Sequence, residues 1–519
     1  MPSGPVLRFD DFELDTDARE LRRRGRKVRL APQPFRLLAI LVQSEGRVVD
    51  RETIRKQLWE STFVDFEHGV NFCVREIRRA LRDRAERPKY IETVPRRGYR
   101  FMAAVNAVAQ NGDVRPALDA RVSLADRLAE GRRLLREMGV ATLDQGRRIF
   151  EEALRMDPLC AMAHCGLGAT AAMRFISRCE PGDLDFARMH LERAAALDPE
   201  LAEPYPWLCY VYARCGEFEK SLEFGSRGVL LLPDLVHAQY FLGTVCFASC
   251  ELGTRRYHEA LEHLLEASRL DPRWTATWMV LTLLCLLHGE YVAARKFACR
   301  MVEVDGADGP VLRFPGAENL IAIISLREGD TACAHQWFSR SLAKLSASDH
   351  TYAEGMRAWS ACGLGDVELR RGNPGAALAH YRLAWQIVQE SPAILGQQRH
   401  GARALTGLAA AYAASGEHDR ALRLLSQAEQ HLPSCLSVKS STPATNLADL
   451  HHAFAVACVR VGNRHHALEY VRRAFEAGWH DRGWLLRDSE MVPLLEEPAF
   501  QSLVDEIGKI PRLPLPPDM

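Results

Sequence analysis

The chain has 519 residues, which at about 150 residues per domain allows three or four ordinary domains, or one small module followed by a long array. Hydrophobic residues make up 47% of the chain and charged residues 26%, which excludes a disordered or collagen-like protein. Lys+Arg and Asp+Glu both number 67, so the formal net charge is zero. This balance argues against a protein that coats nucleic acid with its whole surface.

The charge is not spread evenly along the chain. Residues 1–105 contain 23 Lys/Arg and 16 Asp/Glu, a net charge of +7, which leaves 44 and 51, a net charge of −7, for the remainder. A basic segment of about one hundred residues therefore precedes a much longer acidic one. The two parts are expected to do different things.

The cysteines and the apolar stretches indicate where the protein acts. None of the 14 cysteines belongs to a CxxC pair, so we expect reduced thiols and a cytoplasmic location. The longest strongly apolar stretch, residues 278–287, is far shorter than the roughly 20 residues of a membrane span. The sequence therefore predicts no association with a membrane.

The first hundred residues predict short strands, three helices and a closing pair of strands. Pro32 suits the first turn of a helix, and Asp50 is a plausible N-cap for the second helix. The third helix is predicted over residues 69–83. The segment YIETVPRRGYRFMAAV closes the region as two strands around a Pro-Arg-Arg-Gly turn.

The third helix carries the chemistry of this region. Four apolar residues at helical spacing form a core-facing stripe, and an arc of polar and basic residues lies beside it. The stripe comprises Val70, Val74, Ile77 and Leu81, and the arc comprises Asn71, Arg75, Arg78, Arg79 and Arg82. Guanidinium groups can bridge guanine O6 and N7, and Asn can bridge adenine, so this helix fits the major groove of DNA. The alternative is a solvated charged face.

The turn that contains Arg96 and Arg97 favours the DNA interpretation. A basic turn beside such a helix can grip the DNA backbone or the minor groove. We therefore predict DNA binding by the arc and by these two arginines.

Residues 6–102 resemble the winged helix-turn-helix DNA-binding domain of the OmpR/PhoB-type regulators of phosphorelay signalling, in the branch that includes CadC-like proteins. The resemblance rests on GRVVDRETIRKQLW, FVDFEHGVNFCVREIRRAL and YIETVPRRGYRF, in that order. It implies a four-stranded N-terminal sheet, three helices and a hairpin wing. It also implies a recognition helix over residues 69–82, Arg96 and Arg97 at the wing tip, and a loop over residues 59–66 that some relatives use to contact RNA polymerase.

The sequence departs from the family pattern in two ways. Cys73 and Glu76 stand in the stripe that would face the groove, and Glu76 would repel phosphate, so Asn71, Arg75 and Arg78 are the expected base-reading residues. Five residues precede Val6, which leaves no room for a receiver domain. Phosphorelay control in cis is therefore not expected.

From about residue 123 the chain repeats itself. A register of small residues recurs at separations of 34, 39, 34, 40, 43, 44 and 46 residues. Its members are Ala187, Ser221, Ala260, Ala294, Ala334, Ala377, Ala421 and Ala467. Residues 123–480 resemble tetratricopeptide repeats, in about nine degenerate copies. A minimum spacing of 34 residues, lengthened in some copies by insertions the size of a loop, is typical of such repeats.

The predicted fold is therefore mainly α. An N-terminal α+β winged helix-turn-helix domain over residues 6–105 precedes an all-α tetratricopeptide-repeat solenoid over residues 123–480. Residues 106–122 are expected to form a linker, and residues 481–519 a C-terminal cap and tail.

The array is expected to bind a protein or peptide on its concave face. Tyr210, Tyr240, Phe247 and Met279 are the candidate partner-binding residues, and the alternative is that they form the core between repeats. The Lys/Arg/Asn set that clamps a C-terminal carboxylate in some chaperone-binding repeats is not apparent. An apolar peptide, or the DNA-binding domain of the same chain, is therefore favoured over an acidic tail.

Other chemistry is not indicated. His258 and His263 stand five residues apart, about 140° around a helix, whereas zinc-protease histidines stand four apart on one face. No GxxxxGK[ST] or GxSxG motif occurs, so we expect no enzyme, no cofactor and no metal.

These observations lead to one functional hypothesis and one alternative. The hypothesis is a one-component transcription regulator that binds double-stranded promoter DNA and senses or recruits a protein partner. The alternative is an interaction scaffold whose winged helix does not read DNA specifically.

Overall fold

The computed structural model has two compact units, Met1–Ala120 and Arg121–Met519. The described residues are 6–16, 19–23, 26–28, 30–44, 48–58, 66–81, 83, 88–94, 98–103, 106–108, 114–137, 139–178, 180–250, 256–305, 315–348, 350, 352–391, 397–435 and 447–516.

The N-terminal unit begins with an antiparallel sheet in the strand order β4-β3-β2-β1-β8. Its strands are β1 (Val6–Phe9), β2 (Phe12–Asp15), β3 (Glu20–Arg23), β4 (Arg26–Val28) and β8 (Asn106–Val108). Leu7, Leu14 and Leu21 lie opposite one another across β1, β2 and β3. The predicted four-stranded sheet is confirmed, and β8 adds a fifth strand.

Three helices and a second sheet complete this unit. The helices are α1 (Pro32–Gln43), α2 (Arg51–Leu58) and α3 (Phe66–Leu81), and the strands are β5 (Val48–Asp50), β6 (Ile91–Val94) and β7 (Gly98–Phe101) in the order β5-β7-β6. Pro32 begins α1, and the Asp50 carboxylate accepts the backbone N–H of Thr53 at 2.7 Å, which makes Asp50 the predicted N-cap of α2. The β6–β7 hairpin is the predicted wing.

Gly98 shows why this hairpin packs closely against β5. A Cβ atom at this position would lie 2.0 Å from the Val49 carbonyl oxygen, and the φ of Gly98 is 155°. Only glycine fits so close a backbone approach. The close fit of β7 on β5 positions the wing beside the three helices.

The second unit consists of helix pairs. Its helices are α4 (Val114–Glu137), α5 (Val140–Met156), α6 (Ala161–Arg178), α7 (Pro181–Leu197), α8 (Pro204–Cys215), α9 (Phe218–Leu231), α10 (Val236–Cys250), α11 (Tyr257–Leu270), α12 (Thr275–Leu287), α13 (Tyr291–Asp305), α14 (Ala317–Arg327), α15 (Thr331–Leu345), α16 (Ala353–Arg370), α17 (Pro374–Glu390), α18 (Gln397–Ala414), α19 (His418–Cys435), α20 (Leu447–Arg460), α21 (Arg464–Glu476), α22 (Arg482–Arg487) and α23 (Pro498–Ile507).

Among the described residues, helices α4 to α21 make nine consecutive pairs, and α4 spans the division between the two units. From α6 onward, each second helix packs on the first helix of its own pair, and successive first helices also pack on one another. The first helices therefore form one continuous row, which is the organisation of a tetratricopeptide-like solenoid.

The small-residue register is confirmed by burial. All eight members, from Ala187 to Ala467, are 0% exposed. Each lies on the second helix of a pair, where a larger side chain would hold the two helices apart.

Turn glycines end many of the first helices. Gly416 and Gly462 follow α18 and α20 with φ values of 82° and 83°. This left-handed conformation is strained for residues with a Cβ atom, and it allows the chain to reverse into the second helix within two or three residues.

The described parts of the predicted linker, residues 106–122, form regular structure. Residues 106–108 are strand β8, and α4 begins at Val114. The open edge of β1 gives the short segment Asn106–Val108 a hydrogen-bonded partner, which the sequence pattern of these three residues does not reveal. The predicted cap at residues 481–519 contains α22, a 3-10 turn over Ser489–Leu494, and α23.

Candidate nucleic-acid interface

Helix α3 is held by its apolar face. Val70, Val74, Ile77 and Leu81 are all at most 2% exposed and belong to the single described core of the N-terminal unit. This confirms the predicted stripe. Cys73 lies with them at 0% exposure, and burial raises the pKa of its thiol to about 11. The expectation that Cys73 faces the DNA is therefore wrong, because its position on the helix turns it into the core.

The opposite face of α3 is open. Asn71, Phe72, Arg75 and Arg79 are exposed. The Phe72 side chain is 47% exposed, and the Arg75 guanidinium lies 5.6 Å from the centre of its ring. An exposed aromatic ring beside an arginine can contact a thymine methyl group while the arginine donates to a base edge. Phe72 is not among the residues predicted from the sequence, although its position about 20° from Arg79 on the helical wheel could have identified it.

Arg78 points toward the wing. Its Nη2 donates to the Ile91 carbonyl oxygen and to the Thr93 hydroxyl, both at 2.9 Å. Both acceptors lie on β6, so Arg78 ties α3 to the β6–β7 hairpin. Its guanidinium is only partly exposed and is engaged within the domain.

Asn71 is also connected to the wing. Its side-chain oxygen accepts the Tyr99 hydroxyl at 2.9 Å, and that hydroxyl also accepts from Arg51 Nη2 at 3.3 Å. Tyr99 lies on β7 and is only 2% exposed. The amide of Asn71 is therefore oriented by a tyrosine from the hairpin, and its NH₂ group stays a donor for an adenine N7.

Arg79 pairs with the acidic residue that departs from the family pattern. Its Nη1 lies 3.0 Å from Glu76 Oε2, and the Arg79 side chain is 73% exposed against 23% for Glu76. An exposed ion pair of this kind is weak. Arg79 can therefore exchange Glu76 for a phosphate at little cost.

Asp83 fixes the connection from α3 to β6. Its carboxylate accepts the backbone N–H groups of Lys89, Tyr90 and Ile91 at 2.7, 3.2 and 2.8 Å. Tyr90 in turn donates its hydroxyl to Asp10 at 3.0 Å. These bonds hold the start of β6 against the end of α3. Asp83 therefore positions the wing relative to α3, a role not predicted from the sequence.

The remaining predicted DNA-binding residues, Arg82, Arg96 and Arg97, lie outside the described residues, as do residues 59–65 of the loop expected to contact RNA polymerase. These predictions stay predictions. The described strands β6 and β7 flank the segment that contains Arg96 and Arg97.

The predicted partner-binding residues of the helical unit are in its interior. Tyr210 is 7% exposed, Tyr240 8%, Phe247 4% and Met279 1%. Tyr210 and Tyr240 pack on Phe241 at ring distances of 5.5 and 5.2 Å. The placement agrees with the alternative that these side chains form the core between repeats, and no open surface is formed by them.

Within the described part of the chain, no helix is long and apolar enough to span a lipid bilayer. No group of three or more His, Cys, Asp or Glu side chains suited to a metal ion occurs among the described residues.

Residues 25–101 match the family described as "Transcriptional regulatory protein, C terminal". The chain is 38% identical over 101 residues to the transcriptional regulatory protein CutR of Streptomyces coelicolor, which covers 20% of this chain and 45% of CutR. It is 33% identical over 102 residues to the transcriptional activator CadC of Escherichia coli, which covers 20% of each. The chain thus spans less than half the length of these relatives.

A similar solved structure is the RstA DNA-binding domain of Klebsiella pneumoniae in complex with the RstA box. It is 28% identical, with a TM-score of 0.18, and covers 19% of this chain and 95% of that one. The residues that match the family model, 25–101, include the three helices and the β6–β7 hairpin of the N-terminal unit. The N-terminal unit belongs to the OmpR/PhoB-type winged helix-turn-helix family, and tetratricopeptide-like helix pairs follow it.

Proposed function

We propose that the protein is a one-component transcription regulator of the cytosol. In this proposal the N-terminal unit binds double-stranded promoter DNA, and the helical unit senses or recruits a protein partner. The observation that carries the proposal is the geometry of α3, whose one face is locked in the core while Asn71, Phe72, Arg75 and Arg79 stand exposed on the other.

The contacts within the domain suggest a division of roles. Arg75 and Asn71 read bases, because their side chains stand on the exposed face. Arg79 binds a phosphate after releasing Glu76. Arg78 acts as a positioning residue, because its bonds to Ile91 and Thr93 hold α3 against β6.

Three further roles follow from the family resemblance. Arg82 is expected to hold a phosphate at the end of α3, and Arg96 and Arg97 are expected to grip the DNA backbone from the wing. Residues 59–66 would contact RNA polymerase.

The test is a titration of the full chain against duplex DNA at several salt concentrations. A preferred duplex is first selected from a random library. Each phosphate contact contributes about −0.9 to the slope of log K against log salt, so a specific site should show a steep slope and clear preference over a scrambled duplex. Flat, micromolar binding to every sequence would favour the scaffold alternative and contradict the regulator.

A matched pair of variants places the interface on α3. Arg75→Ala should weaken binding to the selected duplex, whereas Arg300→Ala should not, because Arg300 is a 65% exposed arginine of the helical unit that pairs only with Glu303 on its own helix among the described residues. Equal losses in the two variants would mean that the binding is nonspecific attraction to positive charge.

A further inference from the structure

The segment between the last helix pair and α23 crosses the interior of the helical unit. This inserted segment, residues 479–494, contains α22 and the 3-10 turn. At its start the His480 backbone N–H donates to the Leu287 carbonyl oxygen at 2.7 Å, and Tyr291 donates its hydroxyl to Asp481. Its later part reaches Arg460. It therefore bridges helix pairs that are about 170 residues apart in the chain.

Three acidic residues of the inserted segment pair with three arginines of the array. Arg370 Nη1 lies 2.9 Å from Asp488 Oδ1, Arg460 Nη2 lies 2.5 Å from Glu490 Oε1, and Arg327 Nη1 lies 3.7 Å from Asp481 Oδ2. Asp488 is 0% exposed, Asp481 3% and Glu490 9%. All three carboxylates are thus buried and compensated by charge.

The three arginines occupy equivalent positions. Arg327, Arg370 and Arg460 are the last residues of α14, α16 and α20, each two residues before a turn glycine. This Arg-x-Gly pattern can be found in the sequence, but only the structure shows that it forms a row along the first helices.

Two of these arginines also stack on tryptophans of the inserted segment. Arg327 lies 4.4 Å from the centre of a Trp479 ring, and Arg370 lies 5.1 Å from the centre of a Trp484 ring. The same tryptophans line a cavity together with residues of α14, α16, α18 and α20. We call the surface formed by these four helices the inner groove.

The contacts differ in kind from those that hold the helix pairs together. The pairs meet through fully buried small residues such as Ala334 and Ala377. The inserted segment also buries apolar side chains, such as Met491 and Leu494, but it adds carboxylate–guanidinium pairs and arginine–indole stacks with the inner groove. Buried charges that lose their partners are strongly destabilising. An occupant that replaces the inserted segment must therefore supply carboxylates, and an apolar peptide would not.

We propose that the inner groove binds an acidic, tryptophan-bearing segment of a partner protein, and that the inserted segment occupies it as an internal ligand in the free protein. The inference rests on the proposed partner-binding function of the helical unit and names its partner by chemistry. It reverses the expectation of an apolar peptide, because the arginine row was not recognised in the sequence.

The flanks of the inserted segment allow it to leave while staying tethered. Gly478 precedes it with a φ of 103°, the left-handed conformation in which the chain turns away from the end of α21. Beyond it, α23 is attached to α21 by the pair Arg472–Glu506 at 2.8 Å. Both anchors lie outside the contacts with Arg327, Arg370 and Arg460, so those contacts can break without loss of the terminal helix.

Hydrogen exchange of the wild-type full chain is the first test. Amides of residues 479–494 should exchange at least tenfold faster than those of α17, because local opening of an internal ligand does not require unfolding of the helix pairs. Equal protection of the two regions would overturn the proposal, since the inserted segment would then be an inseparable part of the fold.

The second test adds the inserted segment as a separate peptide. A fluorescent peptide with the sequence of residues 478–495 is titrated into the full chain and into the double variant Asp481→Asn, Asp488→Asn, whose internal ligand is weakened. The double variant should bind the peptide at least tenfold more tightly than the wild type. Adding Arg370→Gln and Arg460→Gln should abolish this gain, and a peptide with Asn, Asn and Gln at the three acidic positions should not bind.

The control is Glu303→Gln, because Glu303 is a 60% exposed acid on α13 and should leave peptide binding at the wild-type level. Absence of any gain in a folded double variant would contradict the proposal. If the double variant does not fold, the hydrogen-exchange result on the wild type decides. Titration of the wild type with the selected DNA duplex tests the DNA-binding half of the proposed function separately, so the two failures can be told apart.

Discussion

The two units of the protein differ in whether they bury charged side chains. Among the residues of the N-terminal unit whose burial is described, no charged side chain is buried. The helical unit buries Arg327, Glu318, Asp481 and Asp488. An exposed arginine of the N-terminal unit, such as Arg75, is thus available to an external polyanion. Several arginines of the helical unit, such as Arg370 and Arg460, are instead paired with buried carboxylates. Arginine therefore contributes to the charged surface of the N-terminal unit and also to internal ion pairs in the helical unit.

This contrast also changes the meaning of the net charges. The +7 of residues 1–105 is carried by a small domain with an apolar core, so it acts largely at the surface. Beyond residue 105, some of the charges are enclosed as pairs of an acid and an arginine, as at Asp488 and Glu490. Each such pair withdraws one negative and one positive charge, so the excess of −7 belongs to the charges outside these pairs.

The largest expected effect is on the core of the helical unit. Tyr381 is 1% exposed, and a Cβ atom at Gly365 or Gly407 would lie 2.5 or 2.2 Å from its ring. The ring thus fills the space that these glycines leave between α16 and α18. Tyr381→Ala should lower the free energy of unfolding by about 3–5 kcal/mol. Urea unfolding followed by tryptophan fluorescence measures this unit, because eight of the nine tryptophans lie beyond residue 120.

Tyr381→Phe is the matched control for the cavity. It removes only the hydroxyl that donates to Asp366 at 2.6 Å, which should cost about 1 kcal/mol. Both variants should bind the selected DNA duplex like the wild type. A loss in Tyr381→Ala no larger than in Tyr381→Phe would show that the ring does not support the packing of the helix pairs.

Lowering the pH should reduce the free energy of unfolding of the helical unit because of its buried histidines. His400 and His451 are 4% and 5% exposed, and burial lowers the pKa of each from 6.5 to about 4, with smaller contributions from Arg399 at both sites and from Arg473 at His451. Below pH 6.5 the unfolded chain binds protons that the folded one does not. Stability should therefore fall as the pH drops from 6.5 toward 4, by about 2 kcal/mol per histidine between pH 7 and pH 5.

The double variant His400→Asn, His451→Asn should flatten this pH dependence in urea unfolding. His465→Asn is the control, because the His465 side chain is 82% exposed and should contribute nothing. The residues before 121 contain a single histidine, His68, so the N-terminal unit should respond less. An unchanged slope in the double variant would assign the acid sensitivity to other groups.

The sequence predicted the N-terminal unit in detail because its signals are local. The spacing of Val70, Val74, Ile77 and Leu81 identified the buried face of α3, and Asp50 and Pro32 marked helix starts. The bonds from Arg78 to β6 and from Asn71 to Tyr99 could not be predicted, because they depend on how the hairpin lies against α3. The DNA-binding roles themselves stay predictions.

In the helical unit, the sequence predicted the packing within each helix pair but not the contacts between distant segments of the chain. The small-residue register is local to each helix pair, and all its members proved fully buried. The sequence left two alternatives for Tyr210, Tyr240 and Phe247, an open face or the core between repeats, and the packing of successive first helices buries them. The inserted segment contacts helices more than one hundred residues away, and helical periodicity carries no information about such contacts.

A smaller stability effect tests the small-residue register. Ala377 on α17 is 0% exposed, whereas Ala379, two residues later on the same helix, is exposed. Ala377→Leu should destabilise the helical unit by about 1–3 kcal/mol, because a leucine would push α17 away from α16. Ala379→Leu should change the midpoint of urea unfolding little. Equal effects of the two leucines would contradict the close approach of paired helices at this position.

The last prediction separates base reading from positioning on α3 by the effect of each variant on DNA binding. Arg75→Ala should cost about 1–3 kcal/mol on the selected duplex and little on a scrambled one, because Arg75 is exposed and able to donate to a base edge. Arg78→Ala should instead weaken binding to both duplexes by a similar factor, because it loosens α3 from β6. Titrations of the full chain against both duplexes compare the variants. A sequence-selective loss in Arg78→Ala would mean that its guanidinium leaves β6 on DNA and reads a base, and the assignment of the two arginines would then be reversed.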